Sequence, residues 1–328
     1  MRAATITDAH TLAWQEVPDP VPADDQVLVE VHAAGVNRAD LMQRAGSYPP
    51  PPGWPAWPGL EIAGVVRALP PGAPADRFPQ VGDEICALLG GGGYAELAAI
   101  PRELIMPIPA GLSMVEAAAL PEALATGWLC LITEGNARPG ETLLMLAGSS
   151  GLGSLVIPLA KSLGLHVITT VRSSRKAELV GSFGADAVID TTADDLALAL
   201  KAQAELGRRV DLAIDPLAGD LPATCLPLAA PGCRWVVIST LAGDVSPVPM
   251  RHLFAKGMRL IGSTLRSRSP QVKADVLAQL VQRIWPEIEA GRIRPTIHQT
   301  LPMERADEAM VILEDGGNTG KIILTVDR

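Results

Sequence analysis

The stretch that most restricts how this chain can fold is 123–264, where apolar, β-branched runs alternate with helical stretches. The runs are "TLLMLA" (142–147), "HVITTV" (166–171), "DAVID" (186–190), "VDLAID" (210–215), "RWVVIS" (234–239) and "MRLIGS" (258–263). Strands spaced in this way with helices between them specify βαβ units and a parallel, doubly wound sheet, hence an α/β domain.

Between the first run and a helical stretch at 152–163 lie small residues, Gly148, Ser149, Ser150 and Gly151, followed by Leu152 and Gly153. The spelling G-x-S-x-x-G departs by one residue from the dinucleotide-binding G-x-G-x-x-G, and its place at a strand-to-helix turn gives it weight. Small side chains let backbone N–H groups approach a pyrophosphate, and the helix N-terminus adds a partial positive charge. Ser150 keeps its position small and adds a hydroxyl that can donate to a phosphate or reach toward the site mouth. The alternative is a tight turn that holds no ligand. Pro158, inside the helix, is expected to bend it by removing one hydrogen bond.

In folds of this kind an Asp or Glu at the end of the second strand binds the free 2′-hydroxyl of the adenosine ribose. This chain has Arg172 there, followed by Ser173, Ser174, Arg175 and Lys176. Three cations and two hydroxyls match a dianionic 2′-phosphate, so NADPH is favoured over NADH. A solvated cationic helix start is the alternative, yet cations at a helix N-terminus oppose the macrodipole unless an anion offsets them.

Residues 1–120 carry short alternating runs such as "QVLVEVHAAGV" (26–36) between Pro and Gly clusters, the pattern of an antiparallel β domain with a long loop at 44–59. The tail offers an amphipathic helix over 271–289, a strand "TIHQTL", a helix over 303–314 and a final strand "KIILTV". It can form a third unit or return to the first domain. The 328 residues, 48% of them hydrophobic, suffice for two cores. With 27 basic against 36 acidic residues and no block of like charge, a nucleic-acid partner is disfavoured. The N-terminus lacks an apolar signal core, and the most apolar stretch, 143–171, is interrupted by glycines, Pro158, Lys161 and His166. Neither secretion nor a membrane is indicated, and a cytoplasmic protein is expected. Cys86, Cys130, Cys225 and Cys233 show no metal-ligand spacing, so they are expected to be reduced and buried, with no metal site.

Several further stretches act together: "NRADLMQRAGSY" (37–48), "PGLEIAG" (58–64), "GDEICALLGGGGYAEL" (82–97), "ALPEALATGW" (119–128), "AGSSGLG" and "GNTGKIIL" (317–324). With them the chain resembles a medium-chain dehydrogenase/reductase over essentially its whole length. Within that superfamily it resembles the zinc-free quinone oxidoreductases, most closely the p53-inducible branch, through "NRADLMQR" and "PPPG". Where zinc relatives carry a catalytic Cys this chain has "GVNRAD", and it has no four-cysteine lobe.

The resemblance implies a Rossmann domain, 123–264, inserted in a GroES-like antiparallel β domain, 1–122 plus 265–328. It implies a homodimer made by edge strands of two nucleotide domains. By family position Asn37, Tyr48 and Thr126 surround the nicotinamide and the substrate mouth, and Ser150 lies on the cofactor side. Tyr48, Asn37 and Ser150 are thus the catalytic candidates. The cofactor-binding candidates are Thr126, Gly148, Ser149, Ser150, Gly151, Leu152, Gly153, Arg172, Ser173, Arg175, Lys176, Thr191, Ser239, Leu265, Asn318 and Lys321. Tyr48 stands in a Gly/Pro loop where a phenol can hydrogen-bond or stack on a quinone, or else anchor its own loop. Asn37 can equally close the strand before it. Glu61 is read as a structural partner. Leu265 and Arg266 contact the nicotinamide ribose, line the cleft, or are hinge residues. Thr191 replaces a Tyr that often stacks near the adenine, which weakens that contact.

The activity implied is NADPH-dependent reduction of a quinone or other electrophile, with the acceptor over the nicotinamide. The alternatives are reduction of an activated C=C bond in 2-alkenals or enoyl thioesters, and an NADPH-binding protein with little turnover.

Overall fold

In a computed structural model, which describes residues 1–73 and 77–326, the chain forms two compact units. One is Thr126–Leu265; the other joins Met1–Ala125 to Arg266–Arg328. The first crossing falls inside the helix Pro121–Trp128, a few residues later than the boundary expected at 122/123.

The inserted unit is a parallel sheet of β1 (Thr142–Met145), β2 (His166–Val171), β3 (Ala187–Asp190), β4 (Val210–Asp215), β5 (Arg234–Val237) and β6 (Arg259–Gly262). Their spatial order is β3-β2-β1-β4-β5-β6, all parallel. This is the doubly wound dinucleotide-binding order, and its direction reverses between β1 and β4. All four residues of β1 and nearly all of β2 and β4 are buried, which is why they read as mainly apolar and β-branched runs. Leu144, Ile168, Ala213 and Trp235 share one core cluster. Strand β6 at the edge is mostly exposed.

Helix α1 (Gly153–Ser162) follows β1 and continues through Pro158 without interruption. The bend expected there does not break the element, because loss of a single N–H leaves the rest of the ladder and the buried face in place. Helix α2 (Ser174–Gly181) follows β2.

In the other unit, the seven-stranded sheet runs in the order Ile297–Pro302, Lys321–Thr325, Gln26–Gly35, Glu61–Ala68, Glu84–Leu88, Ile105–Pro107, with Leu97–Pro101 also paired to Gln26–Gly35. The tail therefore returns to the first domain: Ile323 and Leu324 pair antiparallel with Gly35 and Ala34. The helix expected over 271–289 is two helices, Pro270–Arg283 and Trp285–Glu289, since Pro286 cannot continue the hydrogen-bond ladder of the first. The second tail helix opens as a 3₁₀ turn, Met303–Arg305, before Ala306–Glu314. The run Met114–Glu134 is long and apolar enough to span a bilayer, but 72% of its most apolar window is buried in the folded chain, as in a core helix.

Candidate active site

The turn after β1 stands where the strand order reverses, the place at which open α/β sheets bind ligands. Strand β1 ends at Met145 rather than at the expected 147, because Ala147 takes a left-handed φ of 58°. That conformation costs a non-glycine residue about 1 kcal/mol, and Thr169 and Thr170 of β2 hold it. The Thr169 hydroxyl donates to the Met145 carbonyl at 2.6 Å, and Ala147 N–H donates to the Thr170 hydroxyl at 3.2 Å.

Gly148 and Gly153 are required by close approach. A Cβ on Gly148 would overlap the Thr169 hydroxyl, and one on Gly153 would lie 2.8 Å from the Gly148 Cα. The helix thus starts directly against the turn. The Ser150 hydroxyl accepts from Gly153 N–H at 3.0 Å, so the residue that breaks the glycine spelling caps the turn, and its own proton stays available to an anion. The first turn of α1 has no acidic residue. Ser149, Gly151 and Leu152 complete this half-buried turn. The site fits a pyrophosphate.

At the end of β2, Arg172 and Arg175 are exposed and Lys176 is half-buried. Neither arginine has a carboxylate partner among the described residues. Burial and then the neighbouring Arg172 charge hold the Lys176 ammonium below its usual range. Asp190, the acid nearest in sequence to this corner on β3, accepts from the Ser174 and Thr192 hydroxyls at 2.7 Å. Ser173 is the extended N-cap residue of α2, with no side-chain cap bond. Thr191 is exposed beyond β3, its hydroxyl donating to the Val171 carbonyl. Ser239, just past β5, is half-buried, Thr126 lies in Pro121–Trp128, and Leu265 is buried at the unit's last position. Asp215, unremarked in the sequence, fixes the turn after β4: fully buried, it accepts from Leu217 N–H, Ala218 N–H and Trp235 Nε1, each at 2.8 Å.

Of the catalytic candidates in the other unit, Asn37 sits on a buried polar network. Glu61 and Lys321 form an ion pair with side chains 0% and 2% exposed. Lys321 also donates to Asn37 Oδ1 at 2.7 Å, while Asn37 Nδ2 donates to Glu61 Oε1 at 2.9 Å. The second Glu61 oxygen accepts Glu122 N–H at 2.9 Å. Gly35 is needed here, because a Cβ would overlap the Glu61 carboxylate. Asn37, expected at the nicotinamide, and Lys321, expected to reach the cofactor, are both bonded to Glu61. Asn318, also expected at the cofactor, is buried and donates to the Gly320 carbonyl at 2.8 Å. Beside them Asp40, pushed up to about 6 by burial, accepts the Tyr94 hydroxyl at 2.8 Å and Gly59 N–H at 3.1 Å.

The 44–59 loop is docked rather than free. Trp57 Nε1 donates to the Gly92 carbonyl at 3.0 Å, and Gly92 N–H returns to the Trp57 carbonyl at 2.9 Å. The glycines at 90–93 make this possible: a Cβ on Gly90 would lie 2.6 Å from Trp54 Nε1, and one on Gly92 2.7 Å from Pro55.

Half-buried Glu122 is a group the sequence reading passed over. Burial, and then the Glu61 carboxylate, push its carboxyl up to about 8. The folded chain holds this proton more tightly than the unfolded chain, so the contribution to stability is complete below the ordinary 4.5 and is lost as pH rises through about 8. Glu122→Gln, neutral throughout, is expected to raise the melting temperature near pH 8 and to leave it unchanged near pH 4, read by differential scanning calorimetry. An equal shift at both pH values would contradict the assignment.

The chain is 32% identical over 311 residues to the quinone oxidoreductase of Mus musculus, covering 94% of this chain and 92% of that one. It belongs to the zinc-free medium-chain dehydrogenase/reductase family. Residues 23–110 match the alcohol dehydrogenase GroES-like domain, and residues 183–324 match a family described as zinc-binding dehydrogenase. The solved quinone oxidoreductase of Thermus thermophilus, determined alone and with NADPH, superimposes with a TM-score of 0.82 at 27% identity, covering 99% of this chain and 100% of that one. A human relative named synaptic vesicle membrane protein VAT-1 homolog-like is 27% identical over 326 residues, covering 94% of this chain and 76% of that one. This family member is accordingly an NAD(P)H-binding oxidoreductase with a Rossmann unit inserted in a GroES-like unit. Among the described residues no group of three His, Cys, Asp or Glu fits a zinc ion, and Cys86, Cys130, Cys225 and Cys233 are separate, buried thiols.

Proposed function

We propose that the protein is an NADPH-dependent, zinc-independent quinone oxidoreductase. The observation that carries this reading is the cationic corner at Arg172, Arg175 and Lys176 beside a glycine cradle, in a chain 32% identical to a quinone oxidoreductase. Bound NADPH supplies the hydride. The turn 148–153 holds the pyrophosphate, and the three cations hold the 2′-phosphate. A quinone needs no metal and no strong acid, because its reduced oxygens take protons from water or from a hydroxyl such as that of Tyr48. The protein's work is orientation and the exclusion of side reactions.

The test is oxidation of NADPH by purified protein with 1,2-naphthoquinone or 9,10-phenanthrenequinone, compared with trans-2-hexenal and crotonyl-CoA. Fast quinone turnover with silent enals supports the proposal. The reverse moves the function to double-bond reduction, and background rates with every acceptor leave a binding protein.

The reading includes a homodimer through β6. This edge strand leaves Leu260 40% exposed, beside Phe254 at 76% and Met250 at 62% on the preceding helix, an unpaired edge that a second copy can continue as one sheet. Light scattering is expected to give twice the chain mass, and Leu260→Asp with Phe254→Asp is expected to give the monomer. An unchanged mass in the double variant would remove this interface.

A further inference from the structure

Arg266, expected to contact the nicotinamide ribose, to line the cleft or to be an exposed hinge residue, is buried, 5% exposed, within the GroES-like unit. Nε donates to the Gly90 carbonyl at 2.8 Å, Nη1 to the Tyr48 carbonyl at 3.0 Å, and Nη2 to Gln43 Oε1. Gln43 in turn donates to the Ala56 carbonyl at 2.7 Å. One side chain thus joins the end of a helix, the Tyr48 loop and the glycine turn. The same guanidinium lies 4.9 Å from the centroid of the Tyr48 ring. The backbone carbonyl of Arg266 accepts the buried Lys273 ammonium at 2.7 Å, so the arginine is itself held from behind. Against this clamp on the ring and its backbone, the Tyr48 hydroxyl has no hydrogen-bond partner among the described residues. A half-buried phenol fixed by its face with its polar end uncommitted is arranged to meet a ligand.

We propose that Arg266 is a positioning residue for the acceptor site, clamping the Tyr48 ring so that its hydroxyl is presented as hydrogen-bond and proton donor to the reduced acceptor. The proposal rests on the quinone reductase reading. In the step it serves, the acceptor has gained a hydride equivalent and carries an anionic oxygen. The Tyr48 O–H bond breaks, an O–H bond forms on the acceptor, and water returns a proton to the phenolate. The charged groups facing the phenol are Arg266 and Glu122, and those facing Arg266 are Asp40, Glu122 and Lys273. Burial raises the phenol's pKa, and the Arg266 cation opposes that rise.

The chain has two tyrosines, and Tyr94 is fully buried, its pKa raised well above the ordinary phenol value by burial and Asp40. The phenolate absorbance of the cofactor-free protein therefore reports Tyr48, with Tyr48→Phe as the blank. Arg266→Met is expected to move that titration upward by roughly one pH unit. It is also expected to lower kcat/KM for the quinone by roughly 100-fold with the Kd for NADPH unchanged. In the Tyr48→Phe background the same substitution should cost less than threefold. Should Arg266→Met fail to fold, Arg266→Lys carries the test. An ammonium keeps the charge but cannot reach three oxygens at once, so the titration stays near that of the parent while kcat/KM falls about tenfold. A parent enzyme active on quinones whose titration and kcat/KM are both unmoved in these variants overturns the proposal. A titration that moves in a protein inactive on quinones overturns the quinone reading instead and leaves the clamp standing.

Discussion

Replacing Lys321 by Met is expected to destabilise the GroES-like unit by roughly 3–5 kcal/mol, the scale for removing one member of a buried ion pair. Glu61 is fully buried at the start of its strand and would keep only the Asn37 amide and the Glu122 N–H. Two neutral donors do not offset the desolvation of a carboxylate. Against a typical domain stability of about 5–15 kcal/mol, the loss should appear as a large fall in melting temperature or in soluble yield. Adding Glu61→Gln removes the stranded charge, so the double variant is expected to melt above the single one. If Lys321→Met melts like the parent while its KM for NADPH rises, the ammonium serves the cofactor, as the family resemblance first implied.

Replacing Arg172, Arg175 and Lys176 together by Ala is expected to lower kcat/KM for NADPH roughly 100-fold and to leave that for NADH nearly unchanged. Each charge-assisted contact to a dianionic phosphate at so exposed a corner is worth about 1 kcal/mol, and three make a difference of two decades. The KM for NADPH should also rise with salt in the parent and lose that dependence in the variant, because exposed charges are screened. Steady-state kinetics with both cofactors read the outcome. Unchanged preference would assign the cations to a solvated helix start.

What was legible in the sequence is what local pattern controls. Strands β1, β2 and β4 show as apolar runs because both their faces are buried, and the turn 148–153 shows because only small residues fit against Thr169 and the Gly148 backbone. The cations after Val171 stand where the sequence places them, just past the end of β2.

What stayed hidden depends on residues far apart in the chain meeting in the fold. Lys321 finds Glu61 across 260 residues, and Arg266 finds Tyr48 across 218. Nothing in "GNTGKIIL" marks its lysine as the partner of Glu61, because the antiparallel pairing of Lys321–Thr325 with Gln26–Gly35 creates the proximity. Glu122 reads as an ordinary helix-start acid until its backbone is seen bonded to Glu61. The docking of the 44–59 loop is likewise a contact between distant segments, made where Gly90 and Gly92 leave room for Trp54 and Pro55.

The central claim is that NADPH delivers reducing equivalents to a quinone without a metal. The most direct measurement mixes chelator-treated protein, loaded with NADPH carrying deuterium on one face of the nicotinamide C4, with 1,2-naphthoquinone, and follows a single turnover. The account predicts rapid NADPH oxidation, undiminished by the chelator and slowed by deuterium on one face only. Oxidation that stops with the chelator, or that proceeds no faster than in buffer without protein, would contradict it.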